Sequence, residues 1–335
     1  MLDFAVNVSA PQPPPWLTAV LQDALAGVAR YPDARPAQAA LARLHGIPTD
    51  RVLLVAGAAE AFTLVAGLAW REPVVVHPQF TEPEAALRAH GHRVRRVLLS
   101  AAQAFALPPA GGVPAGADLV VVGNPTNPTS RLHPAAGLLA MTRPGRLLLV
   151  DEAFMDAVEG PSQPVHSLVP YAARTEGLAV VRSLTKTFAI AGLRVGYVVG
   201  APGLLATLSR RQPHWAVGSV ACAAAVACAG PDGRRHAEAL RRDLPGRLAA
   251  LTAGLRSSGL DVVDAARGPF VLARHPAARS LRETLRAGGI AVRRGDSFPG
   301  LGEQWLRFAA RPPADVDRLV AALRATSDTA LQRIR

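Results

Sequence analysis

The stretch LAVVRSLTKTFAIAGLRVGYVVG, residues 178–200, contains the features that decide the fold. Two runs, 178–184 and 195–200, flank a polar turn, and each is apolar on both faces, as strands buried inside a sheet are. Five more such runs precede them: RVLLVA 51–56, PVVVH 73–77, RVLL 96–99, DLVVVG 118–123 and RLLLVD 146–151. Helix-like segments separate these runs, so the sequence predicts an α/β/α sandwich around a mainly parallel seven-stranded sheet.

The pattern changes beyond residue 230, where a long helical stretch at about 233–257 leads into a different region. Three strand-like runs follow, with helices predicted at about 277–287 and 313–326: GPFVLAR 268–274, GIAVRR 289–294 and QWLRFAAR 304–311. This order is typical of a smaller α+β domain. We expect residues 30–230 to form the large domain, and residues 1–29 with 231–335 to form the small one.

Composition and charge argue against nucleic-acid, membrane and metal partners. The net charge is +12, but the arginine pairs are scattered and no dense basic run occurs, which favours a solvated surface or an anionic substrate over nucleic acid. No run of 18 apolar residues and no secretory leader pattern is found, so we expect no membrane partner and a cytoplasmic location. Cys222 and Cys228 lack CxxC spacing, which fits free thiols in a reducing compartment, and no metal site is expected.

A single lysine, Lys186, stands among 36 arginines. Where only a positive charge is needed, this chain uses arginine, so the one retained lysine indicates a need for a primary amine that can deprotonate and condense with a carbonyl. The alternative is that one lysine escaped replacement by chance. Its neighbours favour the first interpretation, because Ser183, Thr185 and Arg194 can all bind phosphate oxygens.

Other polar groups follow strands of the large domain, at the sheet edge where open α/β sheets bind ligands. Asp151 ends an apolar strand, where a bare carboxylate is costly unless it caps a helix or meets a cation such as a protonated pyridine nitrogen. Asn127 lies in NPTNPTS, 124–130, and could donate to a phenolate oxygen or belong to a purely structural turn. GAAEAF, 57–62, opens a helix whose free N–H groups could hold phosphate, although glycine before a helix is common.

Together these segments resemble fold-type I pyridoxal-phosphate (PLP) enzymes, the class I/II aminotransferase superfamily, over nearly the whole chain. The resemblance implies that Lys186 holds PLP as a Schiff base, that Asp151 pairs with the pyridine nitrogen and that Asn127 meets the ring oxygen O3′. It further implies a stacking aromatic at Phe80 and a homodimer in which Tyr31 reaches the neighbouring subunit's cofactor phosphate. The implied phosphate-binding residues are Ala58, Ala59, Glu60, Ser183 and Arg194.

Within the superfamily, DEAFMD, RSLTKTFAIAGLRVGY and RQPHWAVGS are most similar to the threonine-phosphate decarboxylase of cobalamin biosynthesis, and next to histidinol-phosphate aminotransferase. Phe154 stands where aminotransferases have a tyrosine. Three further positions depart from the family patterns: Ser9 for an asparagine, Ser130 for a glycine and Gly218 for an asparagine.

Arg293 and Arg307 lie fourteen residues apart in two predicted neighbouring strands and could face one pocket. The resemblance implies that Arg307 grips an acid group of a small anionic amino-acid substrate, with Arg293 nearby. Two cations suit a phosphate dianion, which leaves the substrate carboxylate free to leave as carbon dioxide. We therefore expect decarboxylation of threonine phosphate, with transamination of histidinol phosphate as the alternative. A non-catalytic PLP-fold binding module and a nucleic-acid binder are the competing hypotheses from other classes.

Overall fold

The computed structural model describes residues 1–109, 112–161, 164–264 and 266–332. Its strands are β1 Leu2–Asp3, β2 Val52–Val55, β3 Pro73–His77, β4 Arg95–Leu98, β5 Leu119–Gly123, β6 Leu147–Asp151, β7 Leu178–Ser183, β8 Gly196–Gly200, β9 Asp261–Val262, β10 Phe270–Arg274, β11 Ile290–Ala291, β12 Arg293–Arg294 and β13 Trp305–Ala309. Its α-helices are α1 Pro15–Leu25, α2 Arg35–His45, α3 Ala58–Ala66, α4 Glu82–Ala89, α5 Ala135–Leu139, α6 Val169–Ala172, α7 Pro202–Ser209, α8 Ser219–Ala229, α9 Pro231–Ser257, α10 Ala278–Ala287 and α11 Pro313–Gln332.

The predicted seven-stranded sheet is confirmed, with the strand order β2-β8-β7-β6-β5-β3-β4. Each predicted run of the large domain forms one of its strands, and only β8 runs antiparallel to its neighbours. The carboxyl ends of β2, β3, β5, β6 and β7 therefore meet at one edge of the sheet. The reversed strand β8 begins at that edge, so the residues just before it arrive there as well.

The sheet separates two apolar cores because successive side chains along a strand point to opposite faces. Val150 and Val180 pack in the core on one face, while Leu149 and Val181 pack against α3 on the other. This alternation also assigns a face to each polar residue at the strand ends.

The C-terminal part builds the predicted α+β unit, a four-stranded sheet in the order β12-β13-β10-β9 over its own apolar core. Phe4, from the N-terminal segment, is fully buried in that core, whereas Leu17 of α1 packs in the core of the large sheet. The predicted domain boundaries at residues 29/30 and 230/231 stay a prediction. No helix in the described ranges is both long and apolar enough to cross a membrane.

Two details differ from the sequence prediction. The GIAVRR run divides at Val292: β11 pairs in parallel with β1, and β12 pairs antiparallel with β13. The two-residue strands β1 and β9 were not predicted, since two residues are too few to show a period.

Candidate active site

Five strand ends place the candidate residues along one edge of the large sheet. Asp151 ends β6, Asn127 follows β5 and Lys186 lies three residues past the end of β7. Phe80 follows β3, and Arg194 precedes the reversed strand β8. The sheet order makes β5, β6 and β7 consecutive, so the three residues predicted to be catalytic come from neighbouring strands.

The amine of Lys186 and the carboxylate of Asp151 influence each other at this edge. Burial, joined by repulsion from Arg194 and Arg307, lowers the pKa of Lys186 below its ordinary value, although Asp151 opposes the shift. Burial raises the pKa of Asp151 to about 6, even though the Ala153 N–H donates to its Oδ1 at 3.0 Å. A lowered pKa favours the neutral, nucleophilic amine, and a buried carboxylate with one donor favours the approach of a cationic partner.

A phosphate-sized cradle lies between the start of α3 and the turns around β7 and β8. Gly57 has a φ of +81°, and a Cβ there would come within 2.7 Å of Arg194 Nη2, so only glycine lets the guanidinium approach the turn this closely. The first N–H groups of α3, on Ala58 and Ala59, lack carbonyl partners within the helix. The Ser183 hydroxyl, 2.8 Å from that of Thr185, adds donors from β7. These donors fit a phosphate group.

Glu60 takes part in this turn differently from its neighbours. Its Oε2 accepts hydrogen bonds from the Ala56 N–H at 2.6 Å and from Gln212 Nε2 at 3.0 Å. The carboxylate thus shapes the turn, and its charge faces these donors.

Asn127 and Arg307 form a contact between the two parts of the chain. Arg307 Nη1 donates to Asn127 Oδ1 at 2.7 Å, and Nη2 donates to the carbonyl oxygen of Ala5. The guanidinium carbon lies 4.3 Å from the ring centroid of Phe270, which in turn packs edge-on against Phe154 at 4.8 Å. Phe154, which stands where aminotransferases have a tyrosine, therefore supports the Phe270 ring on which the Arg307 guanidinium lies.

Arg307 is a buried cation whose bonding capacity is not filled. It is 2% exposed, its Nε has no hydrogen-bond partner among the described residues, and no salt bridge reaches it there. Burial, with repulsion from Arg293 and Arg311, lowers its pKa to about 9. A bound anion would offset this cost and use the free Nε, which is what an acid-binding arginine needs.

Arg293 stands directly opposite Arg307 in the β12–β13 pair. Opposed residues in an antiparallel pair project from the same face, so the predicted placement on neighbouring strands is confirmed. Arg293 is exposed and lies 5.4 Å from the centroid of the Phe298 ring. A substrate at Arg307 could therefore meet a second cation nearer to solvent.

Two of the candidates lie nearer the surface. Phe80 is 38% exposed, with its ring 6.5 Å from that of Phe62. Tyr31 is 76% exposed and stacks on Trp215 at 4.1 Å, beside a groove shared with Leu193. Neither side chain reaches into the buried part of the site, and the predicted roles of both stay predictions.

The N-terminal segment takes part in the site, which sequence reasoning missed. The Ser9 N–H donates to the Lys186 carbonyl at 2.9 Å, and the Ser9 hydroxyl donates to the Thr187 carbonyl at 2.7 Å. Arg311 holds the same segment by donating to the carbonyls of Asp3, Val6 and Val8. These are backbone contacts, so the only available signal was the departure at Ser9 itself.

The departure at Ser130 also has a structural account. Its φ is +53°, in the left-handed region that favours glycine. The side chain offsets this strain because Oγ accepts a hydrogen bond from the Phe270 N–H at 2.9 Å. Nothing within 4 Å would meet a Cβ at Gly218, and the structure does not explain glycine there.

Comparison with known proteins gives one consistent family. The model of the family "Aminotransferase class I and II" matches residues 1–323. A histidinol-phosphate aminotransferase of Mycobacterium tuberculosis is 47% identical over 327 residues, covering 96% of this chain and 86% of its own. A threonine-phosphate decarboxylase from a Sinorhizobium species is 35% identical over 295 residues, covering 86% and 80%.

Solved structures agree with this family in fold. A histidinol-phosphate aminotransferase from Clostridium acetobutylicum superposes with a TM-score of 0.89 at 22% identity, covering 98% of this chain and 100% of its own. Another, from Sinorhizobium meliloti in complex with pyridoxal-5'-phosphate, gives 0.85 at 20% identity, covering 98% and 91%.

Proposed function

Since this chain belongs to the aminotransferase class I and II family, we propose that it transfers an amino group between a small phosphorylated substrate and a keto acid, as a histidinol-phosphate aminotransferase does. Family membership makes it a PLP-dependent enzyme of the transaminase or carboxy-lyase type. The observation that carries the proposal is the buried, unneutralised Arg307 facing the edge that bears Lys186 and Asp151.

The residues present fit PLP. We assign its aldehyde carbon to the Lys186 amine, its ring nitrogen to Asp151 and its ring oxygen to Asn127. The phosphate fits the cradle formed by Ala58, Ala59, Ser183 and Arg194, with Tyr31 approaching from a second subunit. The exposed side chain of Phe80 is assigned to stack on the face of the PLP ring. When bound, PLP supplies an electron sink for the carbanion that forms at the substrate Cα.

In this assignment the protein's own groups hold the substrate and move a proton. Arg307 binds an acid group of the substrate and fixes its orientation relative to Lys186. The lowered pKa of Lys186 favours its neutral amine, which can accept a proton from the substrate Cα and return it elsewhere. Asp151 keeps a negative charge beside the ring nitrogen, so that the nitrogen stays protonated.

The expected decarboxylation of threonine phosphate is the second candidate. Phe154 in the tyrosine position and the opposed pair Arg293 and Arg307 favour it, because two cations suit a phosphate dianion. The comparisons favour the aminotransferase, since the relative with that name is 47% identical and the decarboxylase 35%. We therefore place transamination first, and we leave a role in cobalamin biosynthesis with the second candidate.

Product analysis separates the two reactions. The PLP-loaded protein is incubated with histidinol phosphate and 2-oxoglutarate in one arm, and with threonine phosphate in the other. We expect glutamate in the first arm and no carbon dioxide in the second. Carbon dioxide with aminopropanol phosphate, and no glutamate, would establish the decarboxylase instead. Neither product from either substrate would overturn both assignments.

We also propose a cytoplasmic homodimer that completes its site across the interface. Tyr31, Trp215 and Val28 expose apolar surface, at 76%, 57% and 56%, around the groove beside Leu193. A second copy of the chain over this surface would cover these side chains and bring Tyr31 towards the partner's cofactor phosphate.

A further inference from the structure

A cluster of buried charges lies behind the candidate site, on the opposite face of the large sheet. Arg182, which is 3% exposed, donates from Nη1 to Glu152 Oε2 at 2.9 Å and from Nη2 to Asp156. The other Glu152 oxygen accepts the Leu168 N–H at 2.6 Å, while Oε2 also accepts the Ser167 hydroxyl at 2.7 Å. Every oxygen of Glu152 therefore has a donor, although the residue is 1% exposed.

The place of this cluster in the sequence ties it to the site. Glu152 follows Asp151, and Arg182 precedes Ser183. Asp151 pairs with Val181 in the β6–β7 register, so Asp151 and Ser183 point to the face that holds α3. Glu152 and Arg182 point to the other face. The ion pair thus joins, from behind, the two strand ends that present Asp151 and Ser183 in front.

The surroundings of Arg182 keep its guanidinium charged, whereas burial raises the pKa of Glu152 above its ordinary value. Burial opposes the ionisation of the guanidinium, but the attraction of Asp156, Tyr197 and Glu152 outweighs burial and raises the pKa of Arg182 above its ordinary value. The Tyr197 hydroxyl is itself 2.8 Å from Nε2 of His45, whose pKa burial lowers to about 3, so His45 is neutral. Arg182 is therefore the one cation that forms salt bridges with both Glu152 and Asp156 among the described residues.

We propose that Arg182 is a positioning residue for the cofactor, acting through Glu152 to fix the β6 end that carries Asp151 against the β7 end that carries Ser183 and Lys186. This inference rests on the proposed roles of those three residues. A bound group contacting both strand ends needs them held to within about 0.5 Å. Arg182 links these ends from one side, because one of its nitrogens donates to Glu152 and the other to Asp156.

Arg146 offers a matched control at the opposite edge of the same sheet. It is 5% exposed and precedes β6, where it donates to the carbonyls of Ala117, Met141 and Pro114. Both arginines are buried and donate to several groups of the fold, although Nε of Arg182 has no partner among the described residues. Arg146 lies at the amino ends of the parallel strands, away from the candidate site. Losing either one leaves buried acceptors unpaired and costs stability.

The experiment measures PLP affinity by equilibrium dialysis, and thermal stability, for apoprotein prepared from the wild type and from Arg182→Gln, Arg182→Lys, Glu152→Gln and Arg146→Gln. We expect Arg182→Gln and Glu152→Gln to weaken PLP binding by about tenfold or more, as loss of a supporting contact does at other bound groups. Arg182→Lys keeps the charge but not the forked geometry, so it should recover only part of the affinity, to a value between those of Arg182→Gln and the wild type. Arg146→Gln should lose stability but bind PLP within about twofold of the wild type.

The outcomes separate this inference from the proposed function. Wild-type PLP affinity in both Arg182→Gln and Glu152→Gln overturns it, as does a loss in Arg146→Gln equal to theirs at equal loss of stability. If Arg182→Gln does not fold, Glu152→Gln decides alone, because glutamine keeps the side-chain shape and its amide oxygen can still accept the Ser167 hydroxyl. A wild-type protein that binds no PLP would overturn the proposed function itself.

Discussion

The two edges of the large sheet use buried polar residues in different ways. At the amino edge, Asp118 accepts the N–H groups of Arg71 and Glu72, and Arg146 donates to four carbonyls. At the carboxyl edge, Asp151 receives one hydrogen bond. Across from that edge, Arg307 keeps a buried Nε without a partner among the described residues. The filled groups at the amino edge stabilise the fold, whereas the unused capacity of Asp151 and Arg307 is what the proposed ligands would fill.

The largest expected difference between the edges concerns their two aspartates. Asp151→Asn should lower turnover by about a thousandfold or more, because an amide cannot keep a ring nitrogen protonated beside it. Asp118→Asn should instead lower the melting temperature and leave turnover within about threefold, since only a backbone contact is lost. Steady-state kinetics and thermal melts on both variants measure this, and near wild-type turnover in Asp151→Asn would remove it from its role.

The two buried arginines should differ next. Arg307→Gln removes a two-pronged contact with a substrate acid group, so kcat/KM should fall roughly 10- to 100-fold, mainly through KM. Arg146→Gln should lower stability without changing KM. Equal KM values for wild type and Arg307→Gln would mean that the unfilled Nε serves no substrate.

Subunit mixing extends the comparison to the surface groove. Tyr31→Ala and Lys186→Ala should each be inactive or nearly so, and if Tyr31 serves the partner's site, a mixed dimer has one intact site. Random exchange then restores about a quarter of wild-type activity per chain. Light scattering provides the control for assembly. A monomer at micromolar concentration, or exchanged dimers with no recovery, would exclude a shared site.

The smallest expected effect is the pH dependence of the apoprotein's stability. Folding raises the pKa of Asp151 to about 6 from 3.8, so the carboxyl group binds a proton more tightly in the folded protein than in the unfolded chain. A raised carboxyl pKa gives stability that is present at low pH and is lost as the pH rises through the folded value. Asp151→Asn apoprotein should therefore exceed the wild type by about 1–3 kcal/mol at pH 7, and by little near pH 4. If the difference in unfolding free energy between Asp151→Asn and the wild type did not change with pH, the Asp151 carboxylate would not have the raised pKa described here.

Much of the fold was predictable because the strands of a buried sheet are apolar on both faces. All seven large-domain strands were found this way, with Asp151 as the last residue of one strand and Lys186 and Asn127 a few residues past the ends of two others. The contact between Asn127 and Arg307 joins residues 180 positions apart, and no local period records such a pair. The N-terminal segment from Asp3 to Ser9 is held through backbone carbonyl groups. Every residue has such a group, so the sequence gives no sign of these contacts.

The division of GIAVRR between two sheets was not predictable for a related reason. Its residues fit the pattern of one strand. The break at Val292 arises because the first half pairs with β1 and the second half pairs with β13. Arg182 and Glu152 could not be predicted either, since each stands beside a candidate site residue at the end of an apolar run and shows no sign of its partner. Their meaning comes from the register of β6 against β7.

We propose above all that Lys186, the single lysine of the chain, holds the cofactor at the carboxyl edge of the large sheet. Borohydride reduction of the PLP-loaded protein, followed by digestion and peptide mapping by mass spectrometry, tests this directly. We expect one pyridoxyl group on the peptide containing Lys186 and none elsewhere. A label on any other amine, or no label on protein that has bound PLP, would contradict it.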